Sequence, residues 1–154
     1  WEMNLEFFSR LCDVARAHGR VICFENMPMT ALSLSTPEQI LRFVKQIDSP
    51  NMRVCLDTGH CAVFGISPAD AVRLLGKEYL RALHVHDNDG KADRHMLPGQ
   101  GVIDWEDFAR ALAEIDCQCP VSIETSVSGK IPADQREAAE RELANTALRI
   151  AGRL

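Results

Sequence analysis

What the sequence lacks narrows its possible roles first. No apolar run approaches the 18 residues that a membrane-spanning helix needs. The N-terminal segment WEMNLEFFSR has neither the basic start nor the long apolar core of a secretory signal. Basic residues are not in excess: 17 Lys and Arg face 22 Asp and Glu, for a net charge of −5, and no Lys/Arg run is present. That balance disfavours a nucleic acid or another polyanion as partner. None of the six cysteines (Cys12, Cys23, Cys55, Cys61, Cys117, Cys119) sits in a Cys-x-x-Cys pair. Cys23 and Cys55 fall inside apolar runs, as reduced packing cysteines do, so the expected setting is reducing and cytoplasmic. No GxGxxG or GxxxxGK[ST] follows an expected strand, which removes the usual phosphate loops of nucleotide-binding sheets. The chain opens at Trp1 rather than Met, and the expectation is a piece of a longer protein.

What is present reads as alternating helices and strands. Residues 2 to 18 carry Leu5, Phe8, Cys12 and Ala15 at helical spacing and stop at Gly19. Arg20 to Glu25 is a continuous apolar run ending in an acid, the pattern of a strand in a parallel sheet. Thr36, Pro37 and Gln39 predict a capped helix start, with Ile40, Leu41, Val44 and Ile47 as its apolar face. Met52 to Leu56 is a second strand, ending in Asp57, and Thr58-Gly59-His60 is expected to turn the chain. Ser67-Pro68 opens a helix that could end at Gly76, and Leu80 to His86 is a third strand. A helix follows from Asp104 to Ile115. Pro120 to Glu124 is the fourth strand, followed by a polar loop with Gly129 and Pro132 and a long charged helix from Asp134 to Leu154. Strand starts recur about every 30 to 40 residues, the size of one βα unit. One α/β domain with parallel strands, covering residues 1–154, is therefore expected.

The stretch from Leu83 to Trp105 packs three His and four Asp into 23 residues. His84 and His86 are two apart, so in a strand both imidazoles would face the same way. The other strands also end in chemistry: Glu25, Asp57 and Glu124. A (β/α)₈ barrel gathers its catalytic groups from several strand C-termini on one face. Three carboxylates and a His brought to one point would repel one another without a cation. That donor set suits a divalent ion such as Mn²⁺, Co²⁺, Mg²⁺ or Zn²⁺.

Four segments carry a family resemblance. They are Cys23-Phe-Glu-Asn-Met27, Leu56-Asp-Thr-Gly-His60, His84-Val-His-Asp-Asn-Asp89, and Pro98-Gly-Gln-Gly101 leading to Ile103-Asp-Trp105. Together they resemble the xylose-isomerase-like TIM barrels, a family of sugar isomerases, 3-epimerases, inosose-processing enzymes and endonuclease IV. The resemblance covers nearly the whole chain and matches strands five to eight, the second half of a (β/α)₈ barrel. It implies one divalent metal ion held by Glu25, Asp57, His84 and Glu124. His86 would be an outer or substrate contact, and His60 would touch a substrate oxygen. It further implies a sugar or sugar phosphate isomerase or epimerase in which Glu25 and Glu124 move a proton through an ene-diolate. A closed barrel takes about 250 residues. Four βα units leave two bare sheet edges, which are expected to be covered by a missing N-terminal half-barrel or by a second copy in a homo-oligomer. The alternative implied by the resemblance is an endonuclease IV-like zinc phosphodiesterase acting on abasic DNA. Asp93 and His95 would then be metal ligands, with His60 beside them.

Overall fold

The computed structural model describes residues 1–125 and 131–152. The expected loop glycine Gly129 and the last expected helical residue, Leu154, lie outside those residues. The elements follow in the order α1 (Glu2–Ala17), β1 (Ile22–Glu25), α2 (Pro37–Ile47), β2 (Met52–Asp57), α3 (Thr58–Val63) and α4 (Pro68–Tyr79). They continue with β3 (Leu80–Val85), α5 (Trp105–Glu114), β4 (Val121–Ile123) and α6 (Arg136–Ile150). The four strands form one parallel sheet in sequential order, β1-β2-β3-β4. This is half the strand complement of a TIM barrel, with helices packed over one face.

Strand alternation divides the residues. Val54, Leu56, Leu83 and Val85 are fully buried and pack under Ile40, Phe43, Val44, Val72, Leu75 and Phe108. Side chains of that size each contribute about 1.5–3 kcal/mol of transfer free energy on burial. The alternate positions include Glu25, Asp57 and His84, and the register pairs Asp57 with His84. The sheet thus turns its acidic strand ends away from the helices. The edge strands β1 and β4 are only part-buried, unlike β2, because each has a neighbour on one side alone.

Local chemistry explains the boundaries. Thr36 caps α2 and Gln39 returns the bond, with Pro37 in the first turn, as expected. Asp104 caps α5, and Arg73 of α4 reaches Asp107 at 2.8 Å and Glu114 at 2.7 Å on α5. Two sequence expectations are corrected and one is met. Thr58-Gly59-His60 is not a simple turn but opens a short helix capped by the Asp57 carboxylate. Gly76 breaks α4, as expected: it takes φ 60°, a value open to glycine, and a further helical turn runs from there to Tyr79. The last helix starts at Arg136, after a 3₁₀ turn at Ala133–Gln135, and buries Ile150 alone among its described residues. No helix among the described residues is long and apolar enough to cross a membrane.

Candidate metal centre and active site

Glu25, Asp57, His84 and Glu124 come together at the C-terminal end of the sheet, with one donor atom of each within 4.8 Å of the others. His84 Nδ1 lies 2.7 Å from Glu25 Oε1 and 3.0 Å from Glu124 Oε1. Glu25 arrives from one sheet edge and Glu124 from the other, so the two carboxylates flank the imidazole. Asp57 is fully buried. Its Oδ1 accepts the His60 amide at 2.8 Å, while its Oδ2 has no hydrogen-bond partner. A buried carboxylate oxygen without a donor is costly, and a cation beside it removes that cost. The donor set therefore fits a divalent ion.

Asn26, which the sequence reading passed over, braces this centre. Its side chain donates to the Asp57 carbonyl at 3.0 Å and accepts the Asp57 amide at 2.7 Å. Its own carbonyl lies 2.7 Å from His60 Nδ1. An amide directly after the first strand-end acid was the available signal. Burial pushes the Cys55 and Cys61 thiols far above their ordinary range.

A second cluster gathers His60, His86, Asp93 and His95, again within 4.8 Å. β3 ends at Val85, so His86 leaves the sheet. His84 joins the carboxylates, while His86 lies 3.0 Å from Asp57 Oδ1 and stacks on His95 with ring centroids 4.1 Å apart. His86 has 0% exposure, with the His95 ring stacked on it. Burial lowers the His86 pKa, but the neighbouring Asp57, the Asp87 carbonyl and Asp93 together outweigh it and hold the imidazole above its ordinary value.

The loop that delivers Asp93 and His95 is fastened at its base by one carboxylate. Buried Asp87 accepts from the amides of Asn88 (2.9 Å), Gly99 (3.0 Å), Gly101 (3.0 Å) and Ile103 (3.3 Å), and from Trp105 Nε1 (2.9 Å). Trp105 packs against the core and also holds this acid. Asp87→Asn replaces one acceptor oxygen by a donor facing two or more N–H groups. Charge-assisted bonds contribute about 1.5–3 kcal/mol each, so a loss of at least about 3 kcal/mol is expected in urea unfolding. Unchanged stability would mean that the loop does not depend on this carboxylate.

Comparison with known proteins agrees with this geometry. The model of the family described as "Xylose isomerase-like TIM barrel" matches residues 1–149. A D-psicose 3-epimerase of Ruminiclostridium cellulolyticum is 34% identical over 128 residues, 82% of this chain and 42% of that protein. An uncharacterised protein of Methanocaldococcus jannaschii is 36% identical over 124 residues, 79% of this chain and 42% of its own. The crystal structure of a D-tagatose 3-epimerase-like protein superposes with a TM-score of 0.79 at 30% identity, covering 97% of this chain and 54% of that one. The chain thus spans about half the length of the proteins it matches. Four parallel βα units, three with an acid and one with a His at the strand end, and a family match over almost every residue lead to one assignment: the chain belongs to the xylose isomerase-like TIM barrel family.

Proposed function

We propose that this chain carries the acid–base half of a divalent-metal-dependent isomerase or epimerase acting on a sugar or sugar phosphate. The observation that carries the reading is the convergence of Glu25 and Glu124 on His84 Nδ1, at 2.7 Å and 3.0 Å, from the two edges of the sheet. Two carboxylates brought to one centre from different strands suit removal of a proton from one face of a carbon and its return from the other. Similarity to sugar epimerases supports the same reading.

In the proposed reaction Glu25, Asp57, His84 and Glu124 hold one divalent ion, Mn, Co, Mg or Zn. When bound, such an ion polarises a carbonyl oxygen and makes the neighbouring C–H acidic. One Glu takes that proton and the other delivers a proton to the opposite face, inverting the carbon or moving the carbonyl. Asp57, pinned by Asn26 and by its helix cap, fixes the floor of the centre and does not move a proton. The two sheet edges are closed by four further strands, from the rest of a longer chain or from a second copy. The zinc phosphodiesterase reading is favoured by one observation, the convergence of Asp93 and His95 with His60.

The test is to incubate the manganese-loaded protein with a panel of ketoses in D₂O, alongside abasic duplex DNA. The reading expects epimerised or isomerised sugar carrying one deuterium beside the carbonyl. Cleavage of the DNA with no sugar turnover would replace it by the phosphodiesterase reading.

A further inference from the structure

We propose that Cys117 and Cys119, on the connection between α5 and β4, form a thiol modification site whose co-reactant is a small-molecule disulfide. The pair closes reversibly to an intramolecular disulfide. It stands just before β4, whereas Glu124 follows the last residue of that strand. The site therefore lies at the opposite end of the sheet from the proposed metal centre, and it does not rest on the isomerase reading.

Three observations carry the proposal. The first is how the backbone brings the sulfurs together. Asp116 takes φ 50°, a left-handed value, and turns the chain out of α5. The Cys117 amide then returns to the Leu112 carbonyl at 2.9 Å, the bond that closes many helix C-termini. The Cys117 sulfur folds over the following residues and accepts the Cys119 amide at 3.5 Å. A hydrogen bond with Cys117 is the main cause that holds the Cys119 thiol above its ordinary value, with burial second, so the two side chains touch. Residues two apart span about 6.6 Å in an extended segment, at the upper edge of the roughly 4.4–6.8 Å that a disulfide bridges. A bridge there is strained, and strained bridges are the easily reduced ones.

The second observation is access. Cys12, Cys55 and Cys61 are buried, whereas Cys117 and Cys119 are only part-buried. Both line a cavity of about 290 Å³, with Leu112, Val121 and Ile150, and exposed Gln118 separates them in the chain. Cys23 is also part-buried, but it belongs to β1 at the other edge of the sheet.

The third is an asymmetry between the two sulfurs. The Cys119 thiol donates to the carbonyl of buried Leu80 at 3.3 Å, which favours its neutral form. The Cys117 sulfur accepts an amide N–H, which favours its thiolate. The thiolate is the attacking species, so Cys117 attacks and Cys119 resolves. Cys117 loses its proton and its thiolate displaces one thiolate from the small disulfide, forming a mixed disulfide as the old S–S bond breaks. Cys119 then loses its proton, attacks the Cys117 sulfur and expels the second thiolate. The two released thiolates take up two protons, so two protein thiols are oxidised and one disulfide is reduced to two thiols.

The experiment equilibrates the full chain with mixtures of glutathione and glutathione disulfide. The reaction is quenched with acid, the protein is alkylated in denaturant, and tryptic peptides are weighed. The peptide of residues 111–130 holds both cysteines and no other. In oxidising mixtures it is expected to lose two hydrogens and both alkylation sites, and dithiothreitol should restore them. Cys119→Ser should accumulate a single glutathione on Cys117. Cys117→Ser should load Cys119 at least about tenfold more slowly, the change in thiolate population that one pKa unit makes. If either variant fails to fold, the wild-type time course decides, with glutathione on Cys117 expected before closure. A peptide that stays doubly alkylated in every mixture would overturn the proposal. So would glutathione retained on both cysteines, a bridge to Cys23, or glutathione arriving first on Cys119.

Discussion

Replacing Glu124 by Gln, or Glu25 by Gln, is expected to lower sugar turnover by about 10²–10⁴-fold, the usual worth of a positioned acid or base. Gln keeps the shape of Glu and can still offer one oxygen, but it cannot accept a proton. Each Glu lies within hydrogen-bond reach of His84, so the same change also removes a charge from the proposed metal centre. The two effects separate experimentally. With metal at saturation, loss of the acid–base group should appear in kcat, while loss of the metal appears as a higher metal requirement. Deuterium exchange gives a further division. A variant retaining only the proton-abstracting Glu should still wash solvent deuterium into unreacted sugar, and the other variant should not. Equal and complete loss of exchange in both would mean that the two carboxylates act only as ligands.

Gly101→Ala is expected to be the most disruptive single change in the loop. A Cβ at Gly101 would stand 2.1 Å from the Asn88 carbonyl oxygen and 2.3 Å from Asp87 Oδ1. Neither can retreat. The Asn88 carbonyl accepts from the Val102 amide at 3.0 Å, and Asp87 is held by its five donors. Overpacking costs about 1–3 kcal/mol, and displacing Asp87 from even one charge-assisted donor adds about 1.5–3 kcal/mol. A destabilisation of about 3–5 kcal/mol is expected in urea unfolding. Gly59→Ala makes a useful contrast, because its Cβ would meet the His86 ring at 1.9 Å and should displace that buried imidazole from beside Asp57. Wild-type stability for Gly101→Ala would show that the loop base is not packed as described.

Much of this was legible in the sequence because strand–helix chemistry is local. Thr36, Pro37 and Gln39 announce α2, and Asp104 announces α5, since capping depends on neighbours two or three residues away. The acids Glu25, Asp57 and Glu124 could be placed at strand ends because each closes an apolar run. What stayed hidden depends on contacts between distant segments. Nothing near Asp87 shows that it collects amides from residues 99 to 103 and an indole from Trp105. Nothing near Asn26 shows that it clasps Asp57, 31 residues on. Period-2 alternation holds only inside a strand, and β3 ends between His84 and His86, so the neighbours His86 meets cannot be read from that spacing.

The proposed chemistry turns on a divalent ion held by the acids at the strand ends. The most direct measurement is equilibrium dialysis of metal-stripped protein against Mn²⁺, for wild type and for Glu25→Gln, Asp57→Asn and Glu124→Gln. The account predicts one Mn²⁺ per chain in wild type and a substantially weakened site in each variant, most severely in Asp57→Asn, whose buried Oδ2 has no other partner. Manganese binding that survives all three substitutions, or is absent from wild type, would contradict it.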